Sequence, residues 1–278
     1  MSALTTYPKA VARLVPFVGG GDALPTDALT LEGAEIDRSA LTAYQRVCGF
    51  PVSDVLPATY PHMLAFPLSM DLMTRLSFPF GVIGLVHVEN LVERVRPIRA
   101  DERLDVSVST ADLRPHARGR QFDVVAKVES AGEVVYRSRS TYLHREKTES
   151  AGGKDEGGGK KRPKPPAATA TWQVPGDIGR RYGAVSGDVN PIHLHALSAR
   201  LFGFKRPIAH GMWVKARCLA ALDGHLGDSY DVSVRFKLPM PIPAKAAFST
   251  GTDKGERTFA VTDARSGKPH LSGVVTAR

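Results

Sequence analysis

Tyr182-Gly-Ala-Val-Ser-Gly-Asp-Val-Asn-Pro-Ile-His193, followed closely by Pro207-Ile-Ala-His-Gly-Met212, is the stretch that decides how this chain is read. It sets a carboxylate, Asp188, and an imidazole, His193, five residues apart across a tightly specified turn. Asp177 predicts the N-cap of a helix through Arg180-Arg181-Tyr182. Gly187 predicts its stop, because glycine takes the left-handed conformation that ends helices at little cost. Asn190 predicts the cap of a second helix, with Pro191 at the first position, where a missing N–H costs nothing. His193 then falls in the first turn of that helix and Asp188 just outside it, so the two side chains can converge without sharing a helix face. A third, long and apolar helix is predicted from about Gly211 to Leu222, closed by Gly224. Its first turn carries unpaired backbone N–H groups, and Gly211 has no side chain to keep a ligand from them. A carboxylate, an imidazole and an exposed helix start make an acid/base pair beside an oxyanion site.

Ser186-Gly-Asp-Val-Asn-Pro-Ile-His193 resembles the hydratase-2 motif of MaoC-like (R)-specific enoyl-thioester hydratases, and Pro207-Ile-Ala-His-Gly-Met212 resembles that family's second signature. Five fixed residues, Gly-Asp-x-Asn-Pro-x-His, arise by chance in a chain of this length with a probability on the order of 10⁻⁴. The resemblance implies a hotdog fold, in which a curved antiparallel sheet wraps a long helix. It also implies reversible addition of water across the C2–C3 double bond of a trans-2-enoyl thioester, giving a (3R)-hydroxyacyl thioester. On the matching positions, Asp188 and His193 carry the proton transfers and the Gly211 amide holds the thioester oxygen. Asn190 caps and orients the pair, Ser186 hydrogen-bonds nearby, and His210 either touches the site or shapes the turn before Gly211. No cofactor and no metal are implied, and the partner is an acyl-CoA or an acyl-carrier-protein thioester. The long format is similar to the 3-hydroxyacyl-thioester dehydratases of actinobacterial fatty-acid metabolism. Two rival readings remain at this point: a hotdog acyl-thioesterase, and a non-catalytic module binding acyl chains or nucleic acid.

At 278 residues, 42% of them hydrophobic, the chain suits two domains with proper cores. Cys48 and Cys218 form no CxxC pair, which favours a reduced, cytoplasmic protein over a disulfide scaffold. Residues 1–21 hold no apolar run of signal-peptide length, and no run of about 18 apolar residues predicts a membrane span. The net charge of +9 is partly local, because residues 147–164 hold six bases against three acids. A basic surface of this kind suits an anionic acyl carrier better than nucleic acid. Lys205, Arg217, Arg235 and Lys237 are the candidates for contacting the carrier's phosphates.

Taken in order, Leu29–Glu35 reads as a strand. Asp37 caps a helix with Leu41, Tyr44 and Val47 on one face, ending at Gly49. A Met/Leu-rich helix follows from about Pro67 to Leu76, then strands over 85–95, 102–109, 121–129 and 134–143, the last two joined by the Ala131-Gly132 turn. Residues 146–168, with their Gly runs and Lys160-Lys-Arg-Pro-Lys-Pro-Pro166, read as a flexible linker. From Thr169 the order recurs, with strands at 169–174, 230–238, 246–252, 258–262 and 271–277. Tyr44-x₃-Cys48-Gly49-Phe50 sits 138 residues before Tyr182-x₃-Ser186-Gly187-Asp188, and Arg96-Pro-Ile98 sits 144 before Met240-Pro-Ile242. The expectation is α+β architecture in two copies. Residues 1–145 would form a non-catalytic hotdog and 169–278 the catalytic one, together a pseudo-dimer sharing one sheet, with a homodimer of such double hotdogs as an open option. Phe50 stands at the position of Asp188, so only the second copy carries the chemistry. Leu64, Phe66, Met70, Met73 and Phe80 are candidates to line an acyl tunnel. His87 and Glu89 are expected on one strand face, as a second acid/base pair or, more simply, at the sheet interface.

Overall fold

The computed structural model describes residues 21–82, 84–146 and 167–278. Most of the expected linker, including the Lys160 cluster, lies outside the described residues. The first half contributes strands β1 (Leu29–Ala34), β2 (Val86–Arg94), β3 (Leu104–His116), β4 (Gly119–Ser130) and β5 (Glu133–Arg145). The second contributes β6 (Ala170–Val174), β7 (Tyr230–Phe236), β8 (Ala244–Asp253), β9 (Glu256–Asp263) and β10 (Pro269–Ala277). All ten form one antiparallel sheet in the order β1-β3-β4-β5-β2-β7-β10-β9-β8-β6. Read from its two ends, the sheet is the same five-strand path twice, joined where β2 pairs with β7 from Glu89–Arg235 to Arg94–Tyr230. The double hotdog expected from the sequence is the observed architecture.

Period-two burial builds these strands: on β3, Leu104, Val106 and Val108 are buried while Asp105 faces solvent. The β4–β5 hairpin turns on Ala131 (φ 50°) and Gly132 (φ 79°), both left-handed as a two-residue hairpin with right-handed strand twist requires. Helix α1 (Arg38–Cys48) starts where the Asp37 carboxylate accepts from the Ser39 and Ala40 amides and stops on Gly49 at φ 80°. Its buried stripe is Leu41, Tyr44, Gln45 and Cys48, with Val47 only half-buried. Helix α3 (Ile178–Ser186) mirrors it and stops on Gly187 at φ 74°. Asp177 occupies the expected cap position of α3, but its side chain makes no capping bond. The matching tyrosines meet across the pseudo-two-fold, Tyr44 and Tyr182 having ring centroids 6.2 Å apart.

Three expectations need correction. The Met/Leu-rich helix, α2, runs Pro61–Met73, six residues earlier than expected, because Pro61 rather than Pro67 takes the first-turn position and Pro67 lies inside the helix. The chain before each central helix pairs with the segment after the seam strand, through the bridges Val55–Arg99 and Ile208–Pro241. Arg99 and Pro241 are therefore the true counterparts, an offset of 142, and the Arg96-Pro-Ile match is out by two residues. Finally, the β2–β5 register shifts between His87 and Glu89, so simple alternation does not put them on one face. Glu89 pairs with Arg235 at 3.0 Å, while His87 stacks on Tyr142 at 4.7 Å and meets Phe236 at a tilt, 4.8 Å between centroids. Among the tunnel candidates, Leu64, Phe66 and Met70 are half-buried, whereas Met73 and Phe80 are core. Phe80 is committed to stacking on His144 and Phe122.

Candidate active site

Three short polar side chains build the turn after α3, each holding the amide two residues on. Ser186 Oγ accepts from Asp188 N–H (3.1 Å), Asp188 Oδ1 from Asn190 N–H (3.2 Å), and Asn190 Oδ1 from Ile192 N–H (3.3 Å). Side chains of this length reach that amide without strain, which is why the polar residues alternate with Gly187 and Val189. Helix α4 (Pro191–Leu194) then begins with Asn190 as its cap, as expected, and buries His193.

Two glycines of α3, on one face at i and i+4, set how closely this turn approaches. A Cβ on Gly179 would lie 1.9 Å from the His193 carbonyl oxygen, and one on Gly183 2.9 Å from that of Asp188. The backbones of both candidate catalytic residues thus rest directly on bare helix. The sequence reading missed these glycines, whose spacing was visible but whose packing partner was not.

The imidazole of His193 has its Nδ1 2.7 Å from the Ile208 carbonyl. A carbonyl only accepts, so Nδ1 carries the hydrogen and Nε2 keeps a free lone pair. His210, placed just before helix α6 (Gly211–Ala221), stacks on His193 with ring centroids 3.7 Å apart. By the same argument its Nε2, 3.0 Å from the Asp188 carbonyl oxygen, is the protonated nitrogen, and its buried Nδ1 has no hydrogen-bond partner among the described residues. The Nε2 also lies 3.8 Å from Asp188 Oδ2. His210 therefore belongs to the cluster rather than merely shaping the turn before Gly211. His195, by contrast, is exposed.

Burial pushes the Asp188 carboxyl up, but the neighbouring His210 and His193 rings and the Asn190 amide outweigh it and hold the group below the ordinary carboxylate range. Desolvation lowers His193 and takes His210 down to about 3. At neutral pH the cluster therefore holds one negative charge and two neutral imidazoles. Asp188, His193 and His210 offer ligand atoms within 4.8 Å of one another, the one group among the described residues that could gather a metal ion. Each histidine, however, already commits one nitrogen to a carbonyl.

Beside this cluster, α6 opens with no side-chain cap on its N-terminus. Gly211 is required there on packing grounds as well, since a Cβ would meet the Phe236 ring at 2.9 Å. In the first half, the helix at the equivalent place, α2, opens with Pro61, which has no N–H to offer. With Phe50 at the position of Asp188, that half lacks both the carboxylate and an amide at the first helical position.

One further group went unseen in the sequence. Lys215, one turn into α6, is fully buried, and its Nζ donates to Asn90 Oδ1 (2.5 Å), Asn90 O (3.3 Å) and Val232 O (3.2 Å). It fastens the helix that presents Gly211 to both seam strands. His62 of α2 is also buried, and desolvation lowers it to about 4.

Residues 159–270 match the family model described as MaoC like domain. Over 275 residues, 99% of this chain and 98% of the relative, the chain is 37% identical to 3-hydroxyacyl-thioester dehydratase X of Mycobacterium tuberculosis. The chain belongs to the MaoC-like dehydratase family. The crystal structure of HtdX from Mycobacterium tuberculosis superposes with a TM-score of 0.80 at 33% identity, covering 91% of this chain and all of that one. A MaoC-like dehydratase from Phytophthora capsici gives 0.72 at 19% identity, covering 92% and 96%, a likeness of fold. Within this MaoC-like chain, two of the phosphate candidates are otherwise engaged. Arg217 lies over the Trp172 ring at 4.9 Å and Arg235 pairs with Glu89. Lys205 and Lys237 remain exposed.

Proposed function

We propose that the chain is an (R)-specific 3-hydroxyacyl-thioester dehydratase, equally a trans-2-enoyl-thioester hydratase, with Asp188 and His193 as its catalytic residues. The observation that carries the reading is the tautomer of His193: with Nδ1–H bound to Ile208, a bare Nε2 stands beside an ionised Asp188 and next to the uncapped start of α6.

The charge state decides the proton bookkeeping. At rest neither Asp188 nor His193 holds a proton it can give away. In dehydration, Asp188 takes the C2 proton as electron density moves into the thioester carbonyl, whose oxygen the Gly211 amide stabilises. The C3–oxygen bond then breaks, the enolate electrons form the C2–C3 double bond, and the captured proton returns to the departing hydroxyl, which leaves as water. His193 Nε2 accepts a hydrogen bond from that hydroxyl and holds it in line. Hydration is the same path reversed, with the water poised between the two groups. Ser186 and Asn190 act on this chemistry by fixing the carboxylate through the turn, and His210 by holding the Asp188 carbonyl.

Catalysis is assigned to residues 169–278, with residues 1–145 as a non-catalytic partner that gives the acyl chain room and 146–168 as the linker. The substrate is a fatty acyl thioester and the setting cytoplasmic. The test is loss of enoyl absorbance with crotonyl-, octenoyl- and dodecenoyl-CoA, with chiral analysis of the product. Asp188→Asn and His193→Ala are each expected to cut turnover by about 10²–10⁴-fold with the fold intact. Both variants near wild-type rate, or a (3S) product, would overturn the assignment.

A further inference from the structure

Between α4, which carries His193, and the start of α6 lies a segment that the reaction itself does not use. Helix α5 (Ala196–Leu201) presents Leu197 and Leu201, one turn apart, at 77% and 85% exposure, the two most exposed large hydrophobic side chains among the described residues. An open depression lined by Arg200, Gly203, Phe204 and Lys205 adjoins them. Charge is one-sided here. Residues 178–210 contain Arg180, Arg181, Arg200, Lys205 and Arg206 against a single acid, Asp188, which the site consumes. All five cations are exposed, and none joins an ion pair among the described residues. Elsewhere the arginines are largely neutralised, as in the pairs of Arg96 with Glu102, Arg120 with Glu146 and Arg278 with Glu93 and Asp231.

The segment is tied to the site. Ser198 Oγ donates to the Pro191 carbonyl (2.7 Å), Arg180 to that of Leu194 (3.2 Å), and Ile208 N–H to that of Ile192 (3.1 Å). What docks here sits at the outer side of the turn that holds His193.

We infer that this face is the docking site for an acidic acyl carrier protein, whose helix lays an apolar stripe on Leu197 and Leu201 while its carboxylates meet Arg200, Lys205 and Arg206. The inference rests on the acyl-thioester reading of the site. Coenzyme A alone accounts for cations but not for two leucines left in water one helical turn apart, since phosphates and a nucleotide have no use for them. An amphipathic helix uses both, with apolar anchors at helical spacing and a charged rim that steers the approach. Five unpaired cations against one acid in this stretch supply the complementarity to an acidic surface.

The experiment compares kcat/KM on a medium-chain 3-hydroxyacyl-carrier protein and the matching acyl-CoA, for wild type, Leu201→Ser, Leu197→Ser and Arg200→Glu. Binding of the holo-carrier is measured separately by fluorescence anisotropy at 50 and 500 mM NaCl. The expected result is a carrier-to-CoA preference that falls about tenfold in each variant through KM, with binding weakened by salt. An unchanged preference in all three variants overturns the docking site while leaving the dehydratase reading intact. Failure to dehydrate either thioester refutes that reading instead. Two other occupants are excluded in the same samples. A wild-type dimer that Leu201→Ser splits in light scattering, or co-sedimentation with anionic phosphatidylglycerol vesicles that the same variant abolishes, would assign the face to a second copy or to a lipid surface and overturn the carrier.

Discussion

Gly179→Ala tests whether the bare face of α3 positions the site. In an isolated helix the exchange is favourable, by about 1 kcal/mol. Here the added methyl would stand 1.9 Å from the His193 carbonyl oxygen and 2.9 Å from its carbon, both atoms of rigid backbone. Ordinary contact begins at 3.4 Å, so α3 and α4 must separate by about 1.5 Å. Overpacking of this kind costs about 1–3 kcal/mol, which cancels the helical gain or exceeds it. The larger effect falls on rate. His193 is held at its other end by the bond from Nδ1 to Ile208, so a retreating backbone must either break that bond or rotate the ring. Displacement of a catalytic group by about 1 Å costs on the order of 10²-fold. The expected outcome is a protein that folds, melts slightly lower, and hydrates octenoyl-CoA with kcat/KM about 100-fold down. Gly227→Ala is the control, its Cβ meeting nothing closer than 3.9 Å. A Gly179→Ala enzyme within threefold of wild type would show that the contact with α3 does not set the position of His193.

Other consequences can be checked alongside. His62 and His210 are buried and held to about 4 and 3, so below pH 6.5 the unfolded chain binds protons that the folded one refuses. Stability therefore falls as pH drops from about 6.5 towards 4, by on the order of 1 kcal/mol per histidine at pH 5.5, and His62→Phe flattens that part of a denaturant-midpoint profile. A profile level from pH 7 to 5 would contradict the buried neutral state. Lys215→Met strands the Asn90 side chain and two carbonyls, and is expected to cost about 1–3 kcal/mol in urea unfolding, non-additively with Asn90→Ala. Ser186→Ala leaves the Asp188 amide without its acceptor and is expected to lower kcat more than it raises KM, with a change confined to KM counting against a role in holding the carboxylate.

What the sequence revealed of the site was its local part. Ser186, Asp188 and Asn190 bond within two residues of themselves, Gly187 tolerates the left-handed φ of 74° and Pro191 fixes its own φ, so spacing alone carried the turn and both helix ends. The central α6 was equally clear from its apolar length between Gly211 and Gly224. Features that depend on a distant partner stayed hidden. Lys215 drew no reading because Asn90 and Val232 reach it only in the folded sheet, and which of its two offered roles His210 takes is decided only by its contacts with Asp188 and His193. Pro61 and Pro67 are equally plausible helix starts to a reader of the chain, and tertiary packing chose the first. The repeat was visible at Tyr44 and Tyr182, where helix ends fix the register. It slipped by two residues at Arg96, where a short Pro-containing match had no such anchor.

The pairing of β2 with β7 makes the two halves one sheet through hydrogen bonds and the Lys215 clasp, neither of which depends on β5 being covalently joined to β6. Encoded as two genes, the same halves would meet as an obligate heterodimer, a receptive subunit beside a reactive one. Encoded as one, they appear in fixed one-to-one stoichiometry. With catalysis assigned to the second half, as proposed above, mutation could reshape the first half without passing through the chemistry.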